Sequence, residues 1–172
     1  MPIIIRPLNP DSTHEVAWVA QRMKDTLGEV LGEEEGGGRY SLEWLRNRVL
    51  WHLDPDRCRG EVFLAEDSEG TIQGHCIVRI DRDEAEPESQ PFGLFSTTWV
   101  QPEVRQQGVA LELLARGEQW MHQEGMARAV TFTHPENRKL IGLYSRRGYQ
   151  LTPVSDEFVR LDRVLAQATP DD

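Results

Sequence analysis

Apolar residues recur along this chain at two alternating periods, which predict the order strand, helix, helix, three strands, helix, strand, helix and two strands. A β-branched run at 3–6, ended by Pro7, gives the first strand. Val16, Val19, Ala20, Met23 and Leu27 then share one helical face, with Ser12 and Glu15 at the spacing of a capping box. After a glycine-rich stretch at 32–38, Ser41 stands where it can cap a second helix. Leu42, Leu45, Val49 and Leu50 of that helix should face inward, flanked by Trp44 and Trp51. Residues 61–66 and 71–81 predict two antiparallel strands around the turn D-S-E-G. In the second, Ile72, Cys76, Val78 and Ile80 are expected on one face and His75, Ile77 and Arg79 on the other.

The charged run at 81–90 has no folding period and reads as a solvated connection. Residues 92–100 return as a central strand. A helix follows, with Val109, Ala110, Leu113, Leu114, Gly117, Trp120 and Met121 inward and a stop at Gly125. Another strand occupies 126–134. Pro135 suits the first position of a helix running through Tyr144 to Gly148. A last hairpin spans 149–153 and 158–165, and 167–172 read as a frayed tail. The pattern predicts a single domain over 1–166, of α/β class, with one mixed sheet and helices on both faces.

Composition narrows the function more than the fold. At 172 residues, 38% apolar and 28% charged, the chain can bury a substantial core. It has no run long enough to span a membrane and no signal-peptide pattern at its start. Cys58 and Cys76 stand alone, without zinc spacing or a disulfide framework, which suggests a reducing, cytoplasmic setting and no metal. With 29 acidic and 19 basic residues the net charge is −10, which disfavours nucleic acid and mildly favours cationic partners.

The chemistry concentrates where the central strand runs into its helix, V-Q-P-E-V-R-Q-Q-G-V-A-L. A strand that turns at Pro102 and opens a helix through Gly108 aims unpaired amides, and the positive end of the helix dipole, at one spot. That is an anion site, and Gly108 lets a phosphate approach the backbone. Taken with N-R-K-L-I-G-L-Y-S-R-R-G-Y at 137–149, R-x-x-G-x-A after V-x-P resembles the GNAT superfamily of acyl-CoA-dependent N-acetyltransferases.

The resemblance implies a sheet whose central strands splay to admit the pantetheine arm of acetyl-CoA. It places Thr98, Trp99 and Val100 beside that arm. Arg105, Gln106, Gln107, Gly108, Val109, Ala110 and Leu111 fall around the pyrophosphate, and Asn137 near the cofactor or the strand backbone. Asn137 also fits a plain helix cap. The implied reaction is direct attack of a neutral amine on the thioester, a strand N–H holding the developing negative charge. Tyr144 matches the family's general acid for the departing thiolate.

The central strand lacks the glutamate that some members use as a base. His134, at the end of the next strand, is one substitute, Glu66 or His75 on adjacent strands another, and a chain of waters a third. Glu33, Glu34 and Glu35, in the first interhelical loop, could recruit a cationic small-molecule amine, or could be only a solvated tip. A protein acetyltransferase and a non-catalytic acyl-CoA sensor are the competing readings. The state is expected to be monomer or homodimer.

Overall fold

The computed structural model describes residues 2–31, 40–86, 88–105 and 108–165. The strands are β1 (Ile4–Pro7), β2 (Gly60–Glu66), β3 (Ile72–Asp81), β4 (Phe92–Val100), β5 (Arg128–Thr133), β6 (Gln150–Pro153) and β7 (Val159–Val164). The helices are α1 (Thr13–Leu31), α2 (Leu42–Leu53), α3 (Val109–Gln123) and α4 (Arg138–Arg146), with a 3₁₀ turn at Pro102–Val104. Gln106, Gln107, Glu33, Glu34, Glu35 and the 167–172 tail lie outside the described residues.

One seven-stranded sheet runs in the order β1-β2-β3-β4-β5-β7-β6. Every neighbouring pair is antiparallel except β4 and β5, which are parallel and joined by the α3 crossover. α3 covers one face, where Phe63, Cys76, Val78 and Phe95 pack against Leu113, Leu114, Met121, Tyr144 and Leu161. α1 and α2 cover the other, where Val62, Leu64 and Ile77 meet Val16, Val19, Ala20, Leu45 and Val49. Gly117 lets α3 sit tight on β4, since a Cβ there would lie 2.4 Å from the Phe95 ring.

Several local expectations change. Ile72 packs with Ile77 on the α1–α2 side, because the β2–β3 register shifts between Ala65 and Glu66 and reverses the alternation at Gln73. Leu42 and Leu50 are exposed; α2 instead turns Leu45, Val49 and His52 inward. Ser41 caps α2, accepting from the Trp44 amide at 3.0 Å. Ser12 accepts from the Glu15 amide, but the Glu15 carboxylate binds Arg6 and the Asn9 amide, so the capping box is half made. Pro135 precedes the helix start, which Asn137 caps at Arg138. Exposed side chains bear out 82–86 as a solvated stretch. No helix among the described residues is long and apolar enough to cross a membrane.

Candidate active site

β4 and β5 pair only at Gly93–Ala129, Leu94–Val130 and Phe95–Thr131, and the rest of β4 runs on without a β5 partner. The Thr131 hydroxyl donates to the Phe95 carbonyl at 2.8 Å where the pairing ends. From Ser96 to Val100 the strand therefore offers backbone groups on its β5 side to a ligand that adds as another strand would. Ser96 is itself a bulge, since Ile77 pairs with Thr97 and Val78 with Phe95. The extra residue shifts the alternation. Thr98 consequently faces the α3–α4 side and Thr97 the α1 side.

Tyr144 stands at this parting of the strands. Its side chain is 1% exposed, and its hydroxyl lies 3.4 Å from Thr98 Oγ1. Edge-on contacts with Phe95 and Tyr149, at centroid distances of 5.8 and 4.8 Å, hold the ring. Burial pushes the phenol well above its ordinary pKa, against a weaker opposing pull from the Thr98 hydrogen bond, so the hydroxyl keeps its proton.

At the far end of β4, Arg105 donates from Nε to the Val100 carbonyl at 2.8 Å and lies over the Trp99 ring. Gly108 takes the left-handed conformation (φ +85°), and a Cβ built there would meet nothing within 4 Å. The Glu112 amide bonds the Gly108 carbonyl at 3.0 Å, so the amides of Val109, Ala110 and Leu111 precede the first helical bond and can serve an anion. An open cradle with three convergent amides fits a diphosphate, and the parted β4 edge fits the extended arm that would follow it.

Asn137 acts as a cap: its Oδ1 accepts from the Leu140 amide at 3.4 Å while Nδ2 donates to Thr133 Oγ1 at 3.0 Å. His134 accepts the Glu136 amide at Nδ1, which leaves the proton of the neutral ring on Nε2. Glu66 is tied to Arg6 at 2.9 Å. His75 is fully buried, and burial, aided by the Arg22 charge, lowers its pKa to about 3. Its Nε2 lies 3.0 Å from Thr97 Oγ1 on the α1 side of β4. Sequence reasoning named Trp99 beside the cofactor arm but missed the group that it forms around that pair with Trp18 and Arg22. Only the Trp18–Arg22 spacing of one helical turn could have signalled it. Among the described residues no group of three or more His, Cys, Asp or Glu side chains could hold a metal.

A mixed sheet parted beside a glycine-opened helix is the fold of an acyl-CoA-dependent N-acyltransferase. The acetyltransferase (GNAT) family profile matches residues 21–149, and the chain belongs to that family. Among solved structures, the PaiA N-acetyltransferase of Thermoplasma acidophilum, in complex with coenzyme A, is similar with a TM-score of 0.73 and 15% identity, over 95% of this chain and 99% of that one. An acetyltransferase from Thermus thermophilus gives 0.71 and 16%, over 96% and 98%. A chain of the NatC complex bound to Gag peptide and CoA gives 0.70 and 18%, over 96% and 100%. At these identities the likeness is one of fold. A search of curated proteins by sequence found no match.

Proposed function

We propose that this chain transfers an acetyl group from acetyl-CoA to the primary amine of a small acceptor, by direct attack in a ternary complex. The observation that carries this reading is the buried Tyr144 hydroxyl beside Thr98, where β4 and β5 part. Acetyl-CoA, when bound, supplies the acetyl group activated as a thioester.

The amides of Val109, Ala110 and Leu111 and the α3 dipole hold the diphosphate, with Gly108 keeping the approach open. Thr98, Trp99 and Val100 line the arm through their backbone, and a β4 N–H stabilises the negative charge that develops on the carbonyl oxygen. Tyr144 gives its proton to the leaving sulfur. Burial that raises the phenol also raises a thiolate in the same gap, so donor and acceptor stay matched. Water takes the amine's proton first. His134 could take it only after the Glu136 amide releases Nδ1.

Thiol release measured with acetyl-CoA across amines, amino acids and peptide N-termini tests the activity; no thiol above background with any acceptor would reject it. Two variants test its parts. Gly108→Ala strains a left-handed residue by about 1–2 kcal/mol and adds no charge. Gly108→Glu adds a carboxylate to the same strain, and is expected to abolish CoA binding in calorimetry while Gly108→Ala retains part of it. Equal losses would remove the cradle from the phosphate site.

Glu33, Glu34 and Glu35 are proposed to attract ammonium groups of the acceptor. Replacing all three by Gln should raise KM for a polyamine and flatten its salt dependence, because exposed charges are screened over about 10 Å at 0.1 M salt. Steady-state kinetics at two ionic strengths decide this; an unchanged KM and slope would leave the cluster without that role.

A further inference from the structure

On the α1 side of β4, a cleft of about 410 Å³ is lined by Trp18, Arg22, Ile72, Gln73, Gln101 and Glu103, among others. That volume suits a small molecule. Its wall is built around one guanidinium. Arg22 lies over the Trp18 ring at 5.0 Å and the Trp99 ring at 5.3 Å, and the two indoles meet edge-on at 5.7 Å. Among the described residues Arg22 donates one hydrogen bond, from Nη1 to Asp25 at 3.0 Å. Its Nε is buried without a partner, and so is Nε1 of Trp99 behind it. Stacking holds the planar fork in place and leaves N–H donors unused, although buried donors are normally satisfied.

A fork of this kind matches a carboxylate, which can accept two parallel N–H bonds. Glu103 lines the same cleft, which therefore carries both signs of charge. The position relates the cleft to the chemistry. Trp99 follows Thr98 on β4, so the two side chains point to opposite faces of the sheet. The Trp99 indole under Arg22 thus lies across β4 from Tyr144, one residue further along the strand, and the cleft opens beyond it at Gln101 and Glu103. A net charge of −10 repels an anion at long range but leaves a neutral zwitterion unsteered.

We infer that Arg22, stacked on Trp18 and Trp99, binds the carboxylate of an acceptor that carries both an amine and a carboxylate, an amino acid rather than a simple amine. This inference names the acceptor class for the acetyl transfer proposed above, and rests on that reading.

The test uses matched sets: free amino acids, their primary amides and the corresponding decarboxylated amines, assayed for thiol release with acetyl-CoA. In the wild-type protein at least one free acid should exceed its amide tenfold or more in kcat/KM. Arg22→Ala should raise KM for that acid at least tenfold, with KM for its amide and for acetyl-CoA changed less than twofold. Arg22→Lys, which keeps the charge and loses the fork, should fall between, and stands in if the alanine variant does not fold. Amides and decarboxylated amines that match the acids throughout would overturn the inference. So would an Arg22→Ala or Arg22→Lys variant that weakens acid and amide alike, or leaves both unchanged. If no acceptor releases thiol, the transfer reading fails separately, and indole fluorescence titration decides the cleft. Saturable quenching by an acid, absent with its amide and absent in the Arg22 variant, supports carboxylate binding; no difference between acid and amide rejects it.

Discussion

Tyr144→Phe is expected to lower kcat roughly ten- to a thousandfold while leaving KM for acetyl-CoA nearly unchanged. The substitution keeps the ring in its cage of Phe95 and Tyr149 and removes only the hydroxyl beside Thr98. One weak, long hydrogen bond is lost, so stability should fall by about 1 kcal/mol or less. The pH profile adds a second readout. Because burial raises the phenol, its protonated form persists above pH 10, the ordinary value for tyrosine. The wild-type rate should therefore show no alkaline fall from this group below about pH 10. Wild-type kcat in the variant, measured where chemistry limits the rate, would assign the proton to another donor.

Glu118→Ala should be the most destabilising single change near the site. Glu118 projects from the middle of α3 and is 7% exposed. It accepts from Arg147 Nε at 2.7 Å, Arg163 Nη1 at 2.7 Å and the Tyr149 hydroxyl at 2.9 Å. One carboxylate thus fastens the end of α4, the start of β6 and the far half of β7 to the crossover helix. Breaking a buried ion pair by removing one partner costs about 3–5 kcal/mol. The lower end, about 3 kcal/mol, is expected here, because both arginines keep some contact with water and can rehydrate. Glu118→Gln keeps the shape and two acceptor lone pairs, and should lose less. Denaturant unfolding checks both; a Glu118→Ala variant within about 1 kcal/mol of wild type would mean that the network contributes little. Tyr149 packs edge-on against Tyr144, so the alanine variant should also lose kcat at temperatures where it remains folded.

The order of elements could be read from the chain because it rests on local chemistry. The β-type run at 92–100 marked the bounds of β4, and the glycines at 108, 125 and 148, all at positive φ, marked where helices begin or end. Asn137 was legible as a cap because its side chain bonds a backbone amide three residues on. The open helix start at Gly108 was legible for the same reason: a helix start and a glycine are adjacent in sequence.

Tertiary structure decided what alternation along one strand cannot contain. A bulge arises from pairing two strands, so neither the Ser96 bulge nor the Gln73 shift has a signature in either strand alone. Those shifts determine that Thr98 rather than Thr97 meets Tyr144, and that Ile72 joins the α1–α2 face. The cluster of Trp18, Arg22 and Trp99 joins the first helix to a strand in the second half of the chain, and Glu118 gathers partners from three later elements. Sequence by itself determined the family motifs, the helix-ending glycines and the glycine-opened start of α3, since each depends on neighbours within a few residues. Register across strands, and burial of charge between elements, are set by long-range contacts that exist only once the sheet has formed.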